Sequence, residues 1–217
     1  METALLNQPL INVEIAGAGT VPVPRGTKPS ALLAYTPAGK LPALGVRVNN
    51  AVENLDYPLN DDCRLEFIDY SSEDGRRIYA RSLVMVLVRA ASEIFPGCSV
   101  VVKHTLGNGI YGLIRLNRAL RDHDIALIEG RMREIVAADE PIVRHCFPKE
   151  KAIELLIENN EQEKTELIKY HPLPEVDIYT CGWFHEFSYR PMVPKPGLLK
   201  TFRLRFYLPG FILELPR

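Results

Sequence analysis

The chain has no Cys-x-x-Cys pair. Its four cysteines, Cys63, Cys98, Cys146 and Cys181, are scattered through 217 residues, which excludes a zinc knuckle built on two tight ligand pairs and a compact disulfide framework. A reducing compartment follows. Long apolar runs are missing too: the longest, Leu83 to Val88, is broken by Arg89, far short of the roughly 18 to 20 residues that span a bilayer. Met1 to Leu10 lacks the basic start and apolar core of a secretory leader, and Glu2 has the wrong sign for one. Nor is there an excess of either charge. With 26 Lys and Arg against 27 Asp and Glu the net charge is −1, so no global field draws the chain to nucleic acid or to an anionic membrane. Such binding has to use a local patch. These absences predict a cytoplasmic protein without membrane contact.

What is present is ordinary globular composition, 47% hydrophobic and 24% charged, enough for two modest cores. Ile11 to Ile15 alternates apolar and polar residues, and Gly17 and Gly19 supply turn chemistry before a second strand at Val21 to Val23. Thr27 as a cap and Pro29 in a first turn predict a short helix over Ser30 to Tyr35. Strands are expected at Leu44–Val48 and Cys63–Ile68, separated by the turn clusters Asn49-Asn50 and Asn60-Asp61-Asp62. The polar stretch Ser71 to Gly75 reads as a linker, which divides the chain into domains 1–72 and 73–217.

Beyond it, Tyr79, Leu83, Val86, Ala90 and Ile94 have helical spacing up to the stop signal Pro96-Gly97. Strands follow at Ser99–Lys103 and Gly109–Leu116, joined through Asn108-Gly109, then a helix capped by Asp122 or Asp124. Ile142–Cys146 is a strand. Helices are expected over Pro148–Asn159 and Glu161–Tyr170, and strands over Val176–Tyr179, Thr201–Tyr207 and Phe211–Leu215. The class is α+β.

Chemical motifs are mostly near misses. A phosphate-cradling loop needs glycines for close backbone approach, then Lys and a hydroxyl. Ala34 to Leu41 ends Gly39-Lys40-Leu41, with Ala34 in place of the first glycine and Leu41 in place of the hydroxyl. Gly17-Ala18-Gly19 lacks the third glycine of a dinucleotide loop and runs into a strand. Cys181 and His185 are four apart and can share a metal, with His104 or His171 as a distant third ligand; a buried thiol beside a polar histidine is the commoner meaning of such a pair. Asp139-Glu140 reads as a solvated turn. Arg76, Arg77 and Arg81 can hold a phosphate, or form a solvated face paired with Glu73 and Asp74. The aromatic run Trp183, Phe184, Phe187 and Tyr189 beside Arg190 can stack bases, or pack a loop against a sheet.

Ile11 to Ile15, Arg25-Gly26-Thr27, Val46 to Asn49, Asn54-Leu55 and Leu65 to Ile68 resemble a TGS domain, the ubiquitin-like β-grasp module of threonyl-tRNA synthetases and some GTPases. Ser82 to Gly97, Asn108 to Tyr111 and Ile128 to Val136 look like the editing domain that follows it in those synthetases, an α+β domain shared with alanyl-tRNA synthetases. The family's editing site uses a His-x-x-x-His pair and a later Cys-x-x-x-His running into Val-Pro. By residue, these positions carry Arg81 and Met85, then Ser188 and Met192 before Val193-Pro194; Cys181 takes the cysteine's place only if an insertion containing His185 follows it.

Over the whole chain, Arg77 to Leu83, Tyr189 to Pro194 and Leu208 to Pro216 resemble the accessory half of uridine kinase-like proteins, in which a P-loop nucleoside kinase domain comes after Arg217. The resemblance implies a non-catalytic module with RNA, tRNA or a nucleotide as ligand and the kinase domain as partner. ATP and magnesium belong to that absent domain, and no cofactor is expected in this chain. It also implies that Arg81 points into the vacated metal cleft near Cys181 and His185 to contact an anion, with Tyr111 on the same cleft. The rival implication is an aminoacyl-tRNA editing hydrolase that positions water with His185 and Cys181.

Overall fold

The structure is a computed structural model that describes residues 9–36, 41–158, 162–170, 172 and 174–217. Residues 37–40 of the near-miss phosphate loop, His171, Met1 to Gln8, and the ends Asn159 and Glu161 of two expected helices lie outside the described residues. The chain forms two compact units. The first comprises the described residues of Met1–Tyr79 with Arg190–Pro194, the second those of Ala80–Tyr189 with Lys195–Arg217.

In the first unit, β1 (Leu10–Ile15) and β2 (Gly19–Pro24) make the expected hairpin, and Gly17 and Gly19 take the positive φ its turn requires. Residues Pro29–Tyr35 then wind as a 3-10 helix, not an α-helix. Thr27 does not cap it: its hydroxyl donates to the Pro24 carbonyl at 2.6 Å. The Ser30 amide is engaged by the Leu55 carbonyl, so a tertiary partner takes a donor that a longer helix would leave for a cap. Strands β3 (Gly45–Val48), β4 (Ala51–Glu53) and β5 (Cys63–Ile68) complete a sheet of order β2-β1-β5-β3-β4. Asn49 in the left-handed region turns β3 into β4.

Strand β1 pairs with β5 in parallel and with β2 antiparallel. Alternate residues Ile11, Val13 and Ile15 meet Val23, Leu32, Val46, Leu55, Leu59 and Leu65 in one core. The Arg190–Pro194 segment belongs to this unit: buried Asn54 accepts the Met192 amide at 3.2 Å, and Met192 and Val193 are buried.

The expected linker Ser71–Gly75 is instead a helix start. The Ser72 hydroxyl accepts the Gly75 amide at 3.0 Å, and α1 (Glu73–Ile94) begins there with two carboxylates in its first turn. Gly75 is required because a Cβ would fall 1.7 Å from the Asp69 carbonyl oxygen.

The second unit contains the rest of α1, a helix buried nearly all round from Leu83 to Ala91. Strands β6 (Ser99–Leu106) and β7 (Gly109–Arg115) form a hairpin, followed by α2 (Asp122–Ala138), β8 (Ile142–Pro148), α3 (Lys149–Glu158) and α4 (Gln162–Lys169). Then come β9 (Glu175–Cys181), β10 (Phe184–Phe187), a 3-10 turn at Pro196–Leu198, β11 (Arg203–Tyr207) and β12 (Gly210–Glu214). Two antiparallel sheets result, β10-β9-β8 and β11-β12-β7-β6. Asp124, one of the two expected caps, accepts the Arg121 amide at 2.9 Å from the first turn of α2. Helices and sheets are mixed without βαβ alternation, an α+β fold. Among the described residues no helix is long and apolar enough to cross a membrane.

Candidate functional site

Strand β10 did not announce itself by alternation, because three of its four residues, Phe184, Glu186 and Phe187, are buried. It makes Cys181 the last residue of the first strand in a β9–β10 hairpin whose turn is only Gly182 and Trp183, with Phe184 paired to Cys181. Gly182 has a φ of +59°, and a Cβ there would lie 2.8 Å from a carboxylate oxygen of Glu140. The turn therefore sits directly against a charged cluster.

That cluster centres on Arg89, the residue that interrupts the apolar run of α1 and is itself 6% exposed. Its Nε donates to Glu93 Oε1 at 2.9 Å, and Nη1 donates to Glu140 Oε2 at 2.7 Å, to the Cys181 carbonyl at 3.1 Å and to Cys181 Sγ at 3.2 Å. Glu93 also accepts from Trp183 Nε1 at 2.8 Å and from Arg131 Nε. Burial works against the Arg89 charge, but the bonds to Glu93 and Glu140 outweigh it and raise its pKa. Burial raises Glu93, yet the bonds from Arg131, Arg89 and Trp183 leave it below its ordinary value. Burial pushes the Cys181 thiol up despite the nearby guanidinium, so it is a poor nucleophile. Through these bonds the arrangement clamps a hairpin to a helix.

Cys181 and His185 do not face one site. His185 is paired to Thr180, the neighbour of Cys181, and side chains alternate along a strand. Cys181 therefore shares a face with Tyr179 and Phe184, while His185 shares the opposite face with Ile178 and Phe187. That second face is the one packed on Ala152 and Leu156 of α3. The imidazole is held below its ordinary pKa chiefly by burial, with Glu158 opposing and His145 and Lys151 reinforcing the shift. The thiol–imidazole pair cannot share a metal or a water. Among the described residues no three His, Cys, Asp or Glu side chains gather closely enough to hold a metal ion.

The other expected residues separate as well. The arginine on Cys181 is Arg89, eight residues beyond Arg81, which lies two turns away at about 12 Å along the helix axis. Arg81 is half-buried. Its neighbours do not join it on a phosphate: Arg77 pairs with Glu73 at 2.5 Å and Arg76 donates to the Ser71 carbonyl at 2.7 Å. Asp74 is taken by Arg47 at 2.6 Å. Asp139 accepts from Lys195 and from the Gly197 amide, each at 2.6 Å, so it fastens a loop. Tyr111 belongs to β7 in the other sheet, with its ring 5.2 Å from that of His104 and 5.8 Å from that of Tyr207.

Sequence reasoning missed Arg89, Glu93 and Arg131. The available signal was a lone arginine inside an apolar helical run with a glutamate four residues on, since a charge buried there needs a partner.

No family model matches the chain. Its relatives include threonine–tRNA ligases: that of Acetivibrio thermocellus is 31% identical over 163 residues, 75% of this chain and 26% of the ligase. Those of Acidovorax sp. (strain JS42) and Symbiobacterium thermophilum are each 32% identical over 163 residues, covering 26% and 25% of their lengths. The chain thus spans about a quarter of the length of the curated relatives it matches. Three quarters of it is similar to threonine–tRNA ligases, and the resemblance to uridine kinase-like proteins gains no support from them.

Proposed function

We propose that this chain is a tRNA-directed accessory module of the threonyl-tRNA synthetase type, with a β-grasp unit of TGS kind and an editing-like α+β unit. The observation that carries the reading is the similarity to threonine–tRNA ligases over 75% of the chain. The strand order β2-β1-β5-β3-β4 with β1 parallel to β5 supports the first unit. Its role is to bind tRNA, not to complete a metal-dependent hydrolysis: the positions that match the family's first ligand pair carry Arg81 and Met85, and Met85 and Met192 are buried thioethers. A thioether is a poor partner for a hard or borderline cation.

Editing hydrolysis without metal is the second reading, favoured by the same relatives. It cannot run through Cys181 and His185 acting on one water, because those side chains lie on opposite sheet faces. Filter binding with a threonine-specific tRNA transcript at low salt, together with release of amino acid from mischarged tRNA, tests both. Retention of tRNA without turnover is the expected result. Turnover well above the no-protein rate would establish the hydrolase, and failure to retain tRNA at low salt, where phosphate contacts are strongest, would remove the accessory-module reading.

A further inference from the structure

The sheet β11-β12-β7-β6 has one face turned to the core and one turned out. Leu204, Phe211, Leu213, Ile110 and Ile114 are buried on the first. On the second, the register sets Arg205, Ile212, Tyr111 and His104 in one cross-strand row, and strand alternation adds Arg203, Tyr207 and Arg115 to the same face. The row is chemically continuous. The Arg205 guanidinium lies 5.9 Å from the Tyr207 ring centroid, Tyr207 lies 5.8 Å from Tyr111, and Tyr111 lies 5.2 Å from His104. Gly210, opposite Tyr207, has no room for a side chain because a Cβ would meet the Gly112 carbonyl oxygen at 1.9 Å. The tyrosine therefore faces no cross-strand side chain.

Three features distinguish this face from an ordinary solvated one. His104 is exposed and Tyr207 is 45% exposed, so aromatic surface remains open. Ile212 beside them is only 4% exposed, so the rings rest on a firm apolar floor. The charge is one-sided: Arg115, Arg203 and Arg205 are all exposed, and among the register positions of this face Glu214 is the one carboxylate. Glu214 pairs with Arg205 at 3.0 Å between two half-exposed side chains, a surface pair weak enough to exchange for a phosphate. In a chain of net charge −1, this is a local cationic patch interleaved with rings.

We propose that this outer face is a platform for a single-stranded RNA segment, with two or three bases stacked on Tyr207, Tyr111 and His104 and their phosphates on Arg115, Arg203 and Arg205. Stacking on π-faces needs unpaired bases, since a duplex hides them. A peptide partner of equal size would not need three arginines. The ligand class rests on the tRNA reading above, whereas the location rests on the sheet register alone.

Fluorescence anisotropy tests it with three probes at low salt: a labelled oligouridine of about a dozen nucleotides, the same strand annealed to its complement, and a threonine-specific tRNA transcript. The single strand is expected to bind about tenfold or more tighter than the duplex. Tyr111→Ala with Tyr207→Ala should weaken it from about fivefold to more than a hundredfold, and the matching Phe pair should stay within about twofold. Arg115→Ala and Arg203→Ala should each lower the salt slope by about 0.7. Circular dichroism confirms folding of each variant. If the folded alanine pair binds the oligouridine like the parent, or the parent binds tRNA but not the single strand, the platform is overturned while the tRNA reading stands. If no RNA probe binds, both are overturned.

Discussion

The guanidinium of Arg89 holds both the carbonyl oxygen and the sulfur of Cys181, at 3.1 and 3.2 Å, from 92 positions away in the chain. One side chain in the last two turns of α1 thereby fixes the end of β9 and the start of the β9–β10 turn. Because the same group also bonds Glu93 and Glu140, the contact is the hub of a cluster.

Arg89→Met should destabilise the protein by about 3 to 5 kcal/mol, the range for breaking a buried pair by removing one partner. The low end is expected because Glu93 keeps Arg131 and Trp183. Arg89→Lys should recover less than half of the loss, since one ammonium cannot match the guanidinium fork that reaches Glu93, Glu140 and Cys181 together. Urea unfolding midpoints for the three proteins check this; a lysine variant as stable as the parent would show that charge alone suffices.

Two glycines give opposite predictions. Gly182→Ala combines a φ of +59° with a Cβ 2.8 Å from Glu140, and should cost more than about 1 kcal/mol. Gly130 lies within α2 with nothing within 4 Å of its would-be Cβ, so Gly130→Ala should stabilise by about 0.4 to 1 kcal/mol. Thermal melts of the pair should move in opposite directions, and a shared direction would contradict the local geometry.

Much of the fold was legible because turn chemistry and periodicity agree with it. Gly17, Gly19, Asn49 and Pro96-Gly97 stand where the backbone turns, and β5 matches its expected span Cys63–Ile68. Two kinds of element escaped. Strand β10 is buried at three of its four positions, so the alternation that reveals a half-buried strand is absent. Ser71–Gly75 has loop composition, but Ser72 and the first-turn acids also suit a helix N-terminus, and composition cannot choose between them. The site was least legible. Residue spacing placed Cys181 and His185 together, whereas strand parity separates them, and parity is visible only once β9 and β10 are known to pair. Arg89 read as an interruption of an apolar run when it is that run's reason for having partners.

The four thiols should react in an order set by burial. Cys146 is exposed, Cys63 is half-buried, and Cys98 and Cys181 are buried. Burial raises the Cys63, Cys146 and Cys181 thiols alike, so access decides the order. Under native conditions a maleimide should label Cys146 first and Cys63 next, leaving Cys98 and Cys181 until denaturant is added. Peptide mapping after timed labelling reads the order. Early labelling of Cys181 would mean that the Arg89 clamp opens readily.

Acid should unfold the protein partly through Asp124. Its carboxylate accepts from Arg118 at 2.6 and 2.8 Å and from the Arg121 amide at 2.9 Å. Led by the Arg118 bonds, these contacts hold it at about 2 against an ordinary 3.8. A folded-state value below the unfolded one means that the unfolded chain binds the proton first as pH falls. The stabilisation is therefore fully present above the ordinary carboxylate range and is lost as pH drops from about 4 towards 2. Glu93 is shifted in the same direction and adds to the slope. Asp124→Asn removes the titrating group while keeping its shape, so parent and variant should differ most at neutral pH and converge near pH 2, with the variant's stability changing less in between. Unfolding free energies at several pH values across that window read the two curves. Parallel curves would mean that Asp124 contributes no net proton linkage despite its three bonds.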